Sequence, residues 1–183
     1  MLNRIIALVL IILLSPVFLL VSLAILIEDG FPVFFKQKRV GVNYTFFPIY
    51  KFRSMKKGTP NVATHLLENP EQYVLKTGGL LRKLSLDELP NLINIIRGEM
   101  VFVGPRPALY NQDDLMALRV AAGVEKLKPG ITGWAQINGR DEISLEEKVA
   151  YEKEYLQRKS IGFDLKIIVL TFTSVLMSKG VKH

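Results

Sequence analysis

Residues 5–27 of this 183-residue chain read IIALVLIILLSPVFLLVSLAILI, a nearly continuous apolar run that decides how the fold meets a membrane. The run is about as long as a bilayer-spanning helix. Ser22-Leu23-Ala24 has the small-x-small form of a signal-peptide cleavage site, but the run is longer than a typical signal core and carries a proline at its centre. The sequence therefore favours a retained membrane helix over a cleaved signal.

Ser15-Pro16 interrupts this run near its middle. Proline lacks an N–H and its ring clashes with the preceding turn, so a helix must kink or break there. One alternative is a spanning helix with an ordinary kink. The other is a pair of half-helices that enter and leave by the same face, because about 12 residues at 1.5 Å rise reach roughly 18 Å, short of a bilayer. The run by itself slightly favours the kinked span, since spans are commoner.

The chain carries a formal net charge of +7, from 24 Lys and Arg against 17 Asp and Glu. Residues 31–67 contain no acid and a block of basic residues: Lys36, Lys38, Arg39, Lys51, Arg53, Lys56 and Lys57. Such a block attracts phospholipid headgroups, nucleotide phosphates or nucleic acid, or it is a solvated face without a partner. After an apolar run it also places the following residues in the cytoplasm. The absence of cysteine excludes disulfides and thiolate metal sites.

The remaining sequence predicts one α+β domain with much irregular chain. The predicted elements are strands at residues 31–35, 44–52 and 100–103, helices at residues 89–96, 113–127 and 145–159, and a loop at residues 57–69. The helix at residues 145–159 is amphipathic. Residues 165–177 are too short for a normal transmembrane helix, so they predict either a core helix or one that lies in the headgroup region.

The segment Ser85-Leu86-Asp87-Glu88-Leu89-Pro90 places two carboxylates side by side at a predicted helix start. Ser85 and Glu88 have the spacing of a capping box, which is the structural alternative, and the helix can also begin at Pro90. An ionised Asp87 can attack phosphorus to give an acyl phosphate. The neighbouring Glu88 can hold Mg²⁺, which neutralises diphosphate oxygens.

Arginines near these acids are candidate phosphate ligands. In Pro105-Arg106-Pro107 both prolines restrict the backbone, and Arg suits bidentate contact with phosphate; the alternative is a plain turn. Arg82 precedes the acid pair, and Arg140 follows a glycine-rich segment, residues 129–139, that suits either a ligand or a pair of tight turns. His65 and His183 are too few and too scattered for a metal site or a catalytic triad.

Five ordered segments together resemble the bacterial sugar transferase family. They are Lys36-Gln37-Lys38-Arg39-Val40-Gly41, Tyr50-Lys51-Phe52-Arg53-Ser54-Met55, residues 81–90, Gly104-Pro105-Arg106-Pro107 and residues 129–140. The resemblance covers almost the whole chain and is to the small, monotopic phosphoglycosyl transferases, the type of the bacillosamine-phosphate transferase of N-linked glycan assembly. One departure is Ala7, where relatives often carry an acid, which affects an N-terminal salt bridge and not the chemistry.

The resemblance implies a reaction and its residues. Such enzymes transfer a sugar 1-phosphate from a UDP-sugar to polyprenyl (undecaprenyl) phosphate, release UMP and form a polyprenyl-diphosphate sugar, the first membrane step of glycoconjugate biosynthesis. Asp87 would be the nucleophile that forms a phosphosugar-aspartyl intermediate, and Glu88 a Mg²⁺ ligand. The phosphate-binding arginines would be Arg82, Arg106 and Arg140.

The resemblance also implies a topology, which replaces the slight preference for a kinked span. Residues 1–30 would form a re-entrant membrane helix broken at Ser15-Pro16, with both ends cytoplasmic. Residues 31–183 would form a catalytic domain with interfacial amphipathic helices on the cytoplasmic face of a bacterial inner membrane. Membrane lipids would be partners and nucleic acid would not. The alternative function is a non-catalytic basic module that docks on anionic lipid.

Overall fold

The computed structural model describes residues 1–60, 68–139 and 143–176. The helices are α1 (Leu2–Leu13), α2 (Ser15–Asp29), α3 (Lys76–Lys83), α4 (Asn91–Arg97), α5 (Asp113–Ala121), α6 (Trp134–Ile137), α7 (Leu145–Arg158) and α8 (Ile161–Leu176), and the strands are β1 (Phe34–Val40), β2 (Phe46–Phe52), β3 (Val101–Val103) and β4 (Gly130–Thr132). This mixture confirms the α+β class. Most of the predicted loop at residues 57–69 lies outside the described residues.

The apolar run folds as α1 and α2, which meet at Leu14 with a bend of 62°. Pro16 lies in the first turn of α2, where its missing N–H has no intrahelical partner to lose. The Ser15 hydroxyl donates to the Ile12 carbonyl at 2.8 Å. Neither helix, nor any other among the described residues, is long and apolar enough to cross a membrane alone; the bent pair reaches that length together. The break predicted at Ser15-Pro16 is therefore confirmed.

The start of α1 docks on the region that follows α4. Asn3 Oδ1 accepts a hydrogen bond from the Phe102 N–H at 3.4 Å, and the Arg4 guanidinium lies against Gly98. One turn later, Ala7 is fully buried against the cluster that contains Leu92, Ile95 and Met100. A larger side chain at Ala7 would separate the two helices, so the small residue explains their close packing.

The end of α2 docks on the same domain. Arg53 forms an ion pair with Asp29 and donates to the Gly30 carbonyl at 2.6 Å, which satisfies the C-terminal end of the helix. Glu28 accepts hydrogen bonds from the N–H groups of Lys76 and Thr77 at the start of α3, at 2.5 and 3.0 Å. Both ends of the bent pair are thus held by one folded body.

Two small sheets organise the rest. β1 and β2 form an antiparallel ribbon in which Phe34 pairs with Phe52 and Lys38 pairs with Pro48, while β3 and β4 are parallel. A proline is tolerated in β2 because both strands of a two-stranded sheet are edges. The strand predicted at residues 31–35 starts later, at Phe34, and continues through polar residues because one side of the ribbon is exposed.

The glycines around β3 and β4 allow two backbones to approach each other. A Cβ at Gly104, Gly130 or Gly133 would lie 2.1–2.3 Å from a main-chain atom of another segment. Since no side chain fits such a gap, these glycines hold the loop after β3 against β4. These glycines thus serve close packing between two segments of the protein, a use that neither predicted alternative named.

The C-terminal helix α8 begins at Ile161, four residues before its predicted start, and one side of it is buried as predicted for a core helix. Phe163 and Ile167 are buried against α7 residues such as Tyr155. The opposite side leaves several apolar residues exposed: Ile161, Leu165, Val169 and Phe172. The same is true of α1 and α2, where the exposed apolar residues include Leu2, Ile5, Leu8, Val9, Ile12, Leu13, Leu19, Leu20, Leu23 and Ile27.

Candidate active site

The two predicted catalytic acids lie in a single 3₁₀ turn, Leu86–Glu88, between α3 and α4. Ser85 enters this turn with a left-handed φ of 55°, and its side chain makes no capping hydrogen bond. The alternative of a capping box at Ser85 and Glu88 therefore does not form. Helix α4 has Pro90 at its N-cap, close to the alternative start that the sequence offered. The carboxylate of Glu88 is left for other contacts.

Glu88 forms ion pairs with two cations from distant parts of the chain. Lys51 Nζ of β2 lies 2.7 Å from Glu88 Oε1, and Arg106 Nη2 of the loop after β3 lies 3.4 Å from the same oxygen. The structure therefore brings two of the predicted site residues, Glu88 and Arg106, together. Lys51 was recognised in the basic block but not as a site residue, because only the register of the β1–β2 ribbon directs it here.

Asp87 is buried, with 9% of its surface exposed. Burial raises the pKa of its carboxyl group, because the charged form loses solvation; Lys51 opposes this shift and Glu88 adds to it. Arg82 and Arg106 lower the pKa by smaller amounts, which places both within electrostatic reach of Asp87. A poorly solvated carboxylate among cations is a more reactive oxygen nucleophile than one on the surface.

The loop that carries Arg106 is held in place by hydrogen bonds to its backbone carbonyls. The Arg106 carbonyl accepts from Arg119 Nη2 of α5 at 2.9 Å, and Arg119 is itself paired with Glu152 of α7. The next carbonyl, that of Pro107, accepts from Arg39 Nη1 of β1 at 3.0 Å. These contacts and the flanking prolines hold the loop against the acid turn.

A small cleft lies beside Glu88. Its lining comprises Arg39, Ile49, Lys51, Glu88, Asn91, Met100, Arg106, Pro107, Gly130 and Ile131. Arg39 and Asn91 were not among the predicted site residues. Arg39 belongs to the first family-like segment, which was a usable signal; Asn91 had no local signal, since it reads as an ordinary helix residue.

The other predicted phosphate ligands differ in outcome. Arg82 lies in the last turn of α3 and interacts electrostatically with Asp87, and its role as a phosphate ligand stays a prediction. Arg140 lies outside the described residues, as do His65 and His183.

The carboxylates suit Mg²⁺ only together with a substrate. In the part of the chain that the structure describes, no three side chains of the Asp, Glu, His or Cys types gather into a metal cluster. Mg²⁺ commonly uses one or two carboxylates, with water and substrate phosphates completing the shell. The adjacent acids of the turn fit that donor set.

Comparison with known proteins agrees with the geometry. Residues 1–178 match the profile of the bacterial sugar transferase family. The chain is 43% identical over 170 residues to the sugar transferase EpsL of Bacillus subtilis, covering 92% of this chain and 83% of that protein. It is 40% identical to the exopolysaccharide production protein ExoY of Rhizobium meliloti, covering 91% and 80%. It is 38% identical to the UDP-glucose:undecaprenyl-phosphate glucose-1-phosphate transferase of Escherichia coli, with 96% of this chain but 39% of that protein aligned.

Proposed function

The chain belongs to the bacterial sugar transferase family, and from this premise we propose that it is a phosphoglycosyl transferase. It moves a sugar 1-phosphate from a UDP-sugar to polyprenyl phosphate, a reaction of the kind named for its Escherichia coli relative. The observation that carries the proposal is the buried Asp87 carboxylate, beside Glu88 and within reach of Lys51, Arg82 and Arg106.

Asp87 is the nucleophile in this proposal. One of its oxygens attacks the phosphorus next to the sugar, and the bond from that phosphorus to the bridging oxygen breaks, so that UMP leaves with the bridging oxygen. An oxygen of polyprenyl phosphate then attacks the same phosphorus and displaces the Asp87 carboxylate. Lys51 and Arg106, already directed at Glu88, supply positive charge where phosphate charge develops.

Mg²⁺ is the cofactor in this proposal, with Glu88 as the main protein ligand beside Asp87. When bound, it neutralises diphosphate oxygens and favours departure of UMP. Two carboxylates from the protein would be enough, because water and substrate phosphates usually complete the coordination shell of Mg²⁺.

Residues 1–30 are the re-entrant membrane element in our proposal, and residues 31–183 form the catalytic domain on the cytoplasmic face of a bacterial membrane. Two observations support this topology. Both ends of the bent pair contact the same body, through Asn3 and Arg4 at one end and Glu28 and Asp29 at the other. The apolar surface of the pair is exposed, as lipid contact requires.

The basic block argues against a non-catalytic lipid-docking module. Lys51 pairs with Glu88, Arg53 pairs with Asp29, and Arg39 donates to the Pro107 carbonyl. These three of the seven cations are directed into the protein and serve the fold and the site, whereas Lys36, Lys38, Lys56 and Lys57 are exposed.

UMP release tests the reaction. Purified protein is given Mg²⁺, polyprenyl phosphate and a panel of UDP-sugars, and intact mass detects a phosphosugar adduct. We expect release with at least one sugar, and the Asp87→Asn variant should lose both the release and the adduct because an amide cannot serve as the nucleophile. An adduct that survives in the variant would exclude Asp87 as its attachment point.

Single-cysteine labelling tests the topology, since the chain has no native cysteine. Leu2→Cys and Lys153→Cys should react with an impermeant reagent from the same side of a sealed vesicle. Labelling from opposite sides would overturn the re-entrant arrangement. Pro16→Leu should straighten the pair and move residue 2 across the bilayer; unchanged labelling would show that Pro16 does not decide the topology.

A further inference from the structure

The cleft beside Glu88 contains two buried polar atoms that the described parts of the protein leave without a hydrogen-bond partner: Arg39 Nε and Asn91 Oδ1. Buried polar atoms are rarely left unpaired because each loses its solvation without gaining a hydrogen bond, so two in one small cleft require an explanation. Arg39 Nε is a hydrogen-bond donor and Asn91 Oδ1 is an acceptor. A ligand that satisfies both must offer an acceptor and a donor of its own.

Arg39 is held in place for such a contact. Its Nη1 donates to the Pro107 carbonyl at 3.0 Å and its Nη2 donates to Gln37 Oε1 at 2.6 Å. These two bonds fix the plane of the guanidinium, and its buried Nε–H is the nitrogen donor left without a partner among the described residues. Asn91 is equally constrained, because it lies at the start of α4 with 1% of its surface exposed.

The charge of the cleft favours an anion. Arg39, Lys51 and Arg106 line it with one carboxylate, that of Glu88. Burial lowers the pKa of Arg39 to about 10, Arg106 adds to that shift and Glu88 opposes it. Gathering three cations in a poorly solvated place is unfavourable without an anion, and the arginines suit a phosphate.

We propose that this cleft binds the sugar-phosphate end of the donor nucleotide, with Arg39 Nε donating to a phosphate oxygen and Asn91 Oδ1 accepting from a hydroxyl of the same molecule. The assignment rests on the proposed transferase function. Polyprenyl phosphate offers phosphate oxygens but no hydroxyl on its hydrocarbon chain, so it would leave Asn91 Oδ1 unsatisfied. A nucleotide sugar offers both groups.

Entry of the ligand requires the cleft to widen. The enclosed volume is about 10 Å³, room for roughly one water molecule. Arg106 stands at the rim with 34% of its side chain exposed, and its contact with Glu88 is long, at 3.4 Å. Exchange of that contact for a phosphate oxygen opens the cleft without any change in Arg39 or Asn91.

Binding of the donor tests the proposal in Asp87→Asn protein, which cannot turn the donor over. UDP-glucose is the first calorimetric probe, followed by whichever UDP-sugar supports UMP release in the wild type. We expect Arg39→Gln to weaken binding about 10- to 100-fold and Asn91→Leu about 3- to 10-fold. Arg39→Lys keeps the charge without the Nε–H and should fall between the parent and Arg39→Gln.

Lys153→Gln is the matched control, because it removes one exposed positive charge far from the cleft and should bind the donor like the parent. Fluorescence of Trp134, the only tryptophan of the chain, verifies folding of each variant. Parent-like donor binding by folded Arg39→Gln and Asn91→Leu would overturn the proposal. So would a raised KM for polyprenyl phosphate with unchanged donor binding. Absence of UMP release by the wild type with every sugar would instead count against the transferase function itself.

Discussion

Two buried carboxylates of this protein have opposite surroundings. Glu152, with 2% of its surface exposed, faces Arg119 in a two-pronged ion pair that includes an Nε–Oε2 distance of 2.8 Å. Asp87 is nearly as buried but has a second acid, Glu88, as its neighbour, and among the described residues the cations around it act through longer-range electrostatics. The Arg119–Glu152 ion pair holds helices α5 and α7 together. Asp87 has no such direct ion pair among the described residues, so its burial lowers stability but leaves the carboxylate reactive.

We expect the largest loss of stability when the Arg119–Glu152 ion pair is broken. Glu152→Gln leaves the Arg119 guanidinium buried without its counter-charge, so we expect a loss of about 3–5 kcal/mol in unfolding free energy. For a chain of this size that lowers the thermal midpoint by about 6–20 °C. Trp134 fluorescence in detergent measures it, since Trp134 packs on Phe163 at 5.0 Å between ring centroids.

Replacement of both partners is the control for that experiment. Arg119→Met with Glu152→Leu removes both charges at similar volume and should recover most of the lost stability. The Arg106 carbonyl would still lack its donor, so activity should stay reduced. A midpoint for Glu152→Gln within 2 °C of the wild type would show that the pair is not a structural anchor.

A smaller effect of opposite sign is expected at the other carboxylate. Because the folded protein raises the pKa of Asp87, its stabilising contribution is present below the unfolded pKa and is lost as pH rises through the folded pKa. Asp87→Asn should therefore be more stable than the wild type at pH 7, although inactive. The difference between their unfolding free energies, measured from pH 4 to 7, should grow with pH; a constant difference would contradict this.

The smallest effect concerns the acid side of the pH–rate profile. Lys51 lowers the pKa of Asp87 and Glu88 raises it. Lys51→Met should therefore move the acid limb of adduct formation to higher pH, and Glu88→Gln should move it to lower pH, while both reduce the maximal rate. Quenched-flow measurement of the rate of adduct formation across the acid pH range gives the position of each acid limb. Limbs that coincide with that of the wild type would show that another group controls the profile.

Local signals in the sequence predicted several elements well. The Ser15-Pro16 break is observed, α4 ends at Gly98 with a left-handed φ of 82°, and α7 occupies Leu145–Arg158 within its predicted bounds. Helix α5 ends at Ala121, six residues before its predicted end, because Gly123 adopts a left-handed φ of 74° that the prediction did not use. Each of these outcomes depends on a residue within or next to the element.

Non-local packing decided what the sequence could not show. The chain has a capping box at Ser144 and Glu147, but the alternative one at Ser85 does not form, because Ser85 adopts a left-handed φ before the 3₁₀ turn. Asp87, Glu88 and Arg106 could be named from composition and spacing. Lys51 could not, because its contact with Glu88 spans 37 residues and depends on strand register.

The contacts of the first helix have a consequence for the order of synthesis. Asn3 reaches Phe102, 99 residues further along the chain, and at about 5–20 residues per second a ribosome needs roughly 5–20 s to make that interval. The end of α2 meets Arg53, Lys76 and Thr77 earlier, but the start of α1 lacks its docking surface throughout this time. The bilayer is then the first partner of α1, so in our topology the bent pair is inserted before the catalytic domain folds against both ends of the pair.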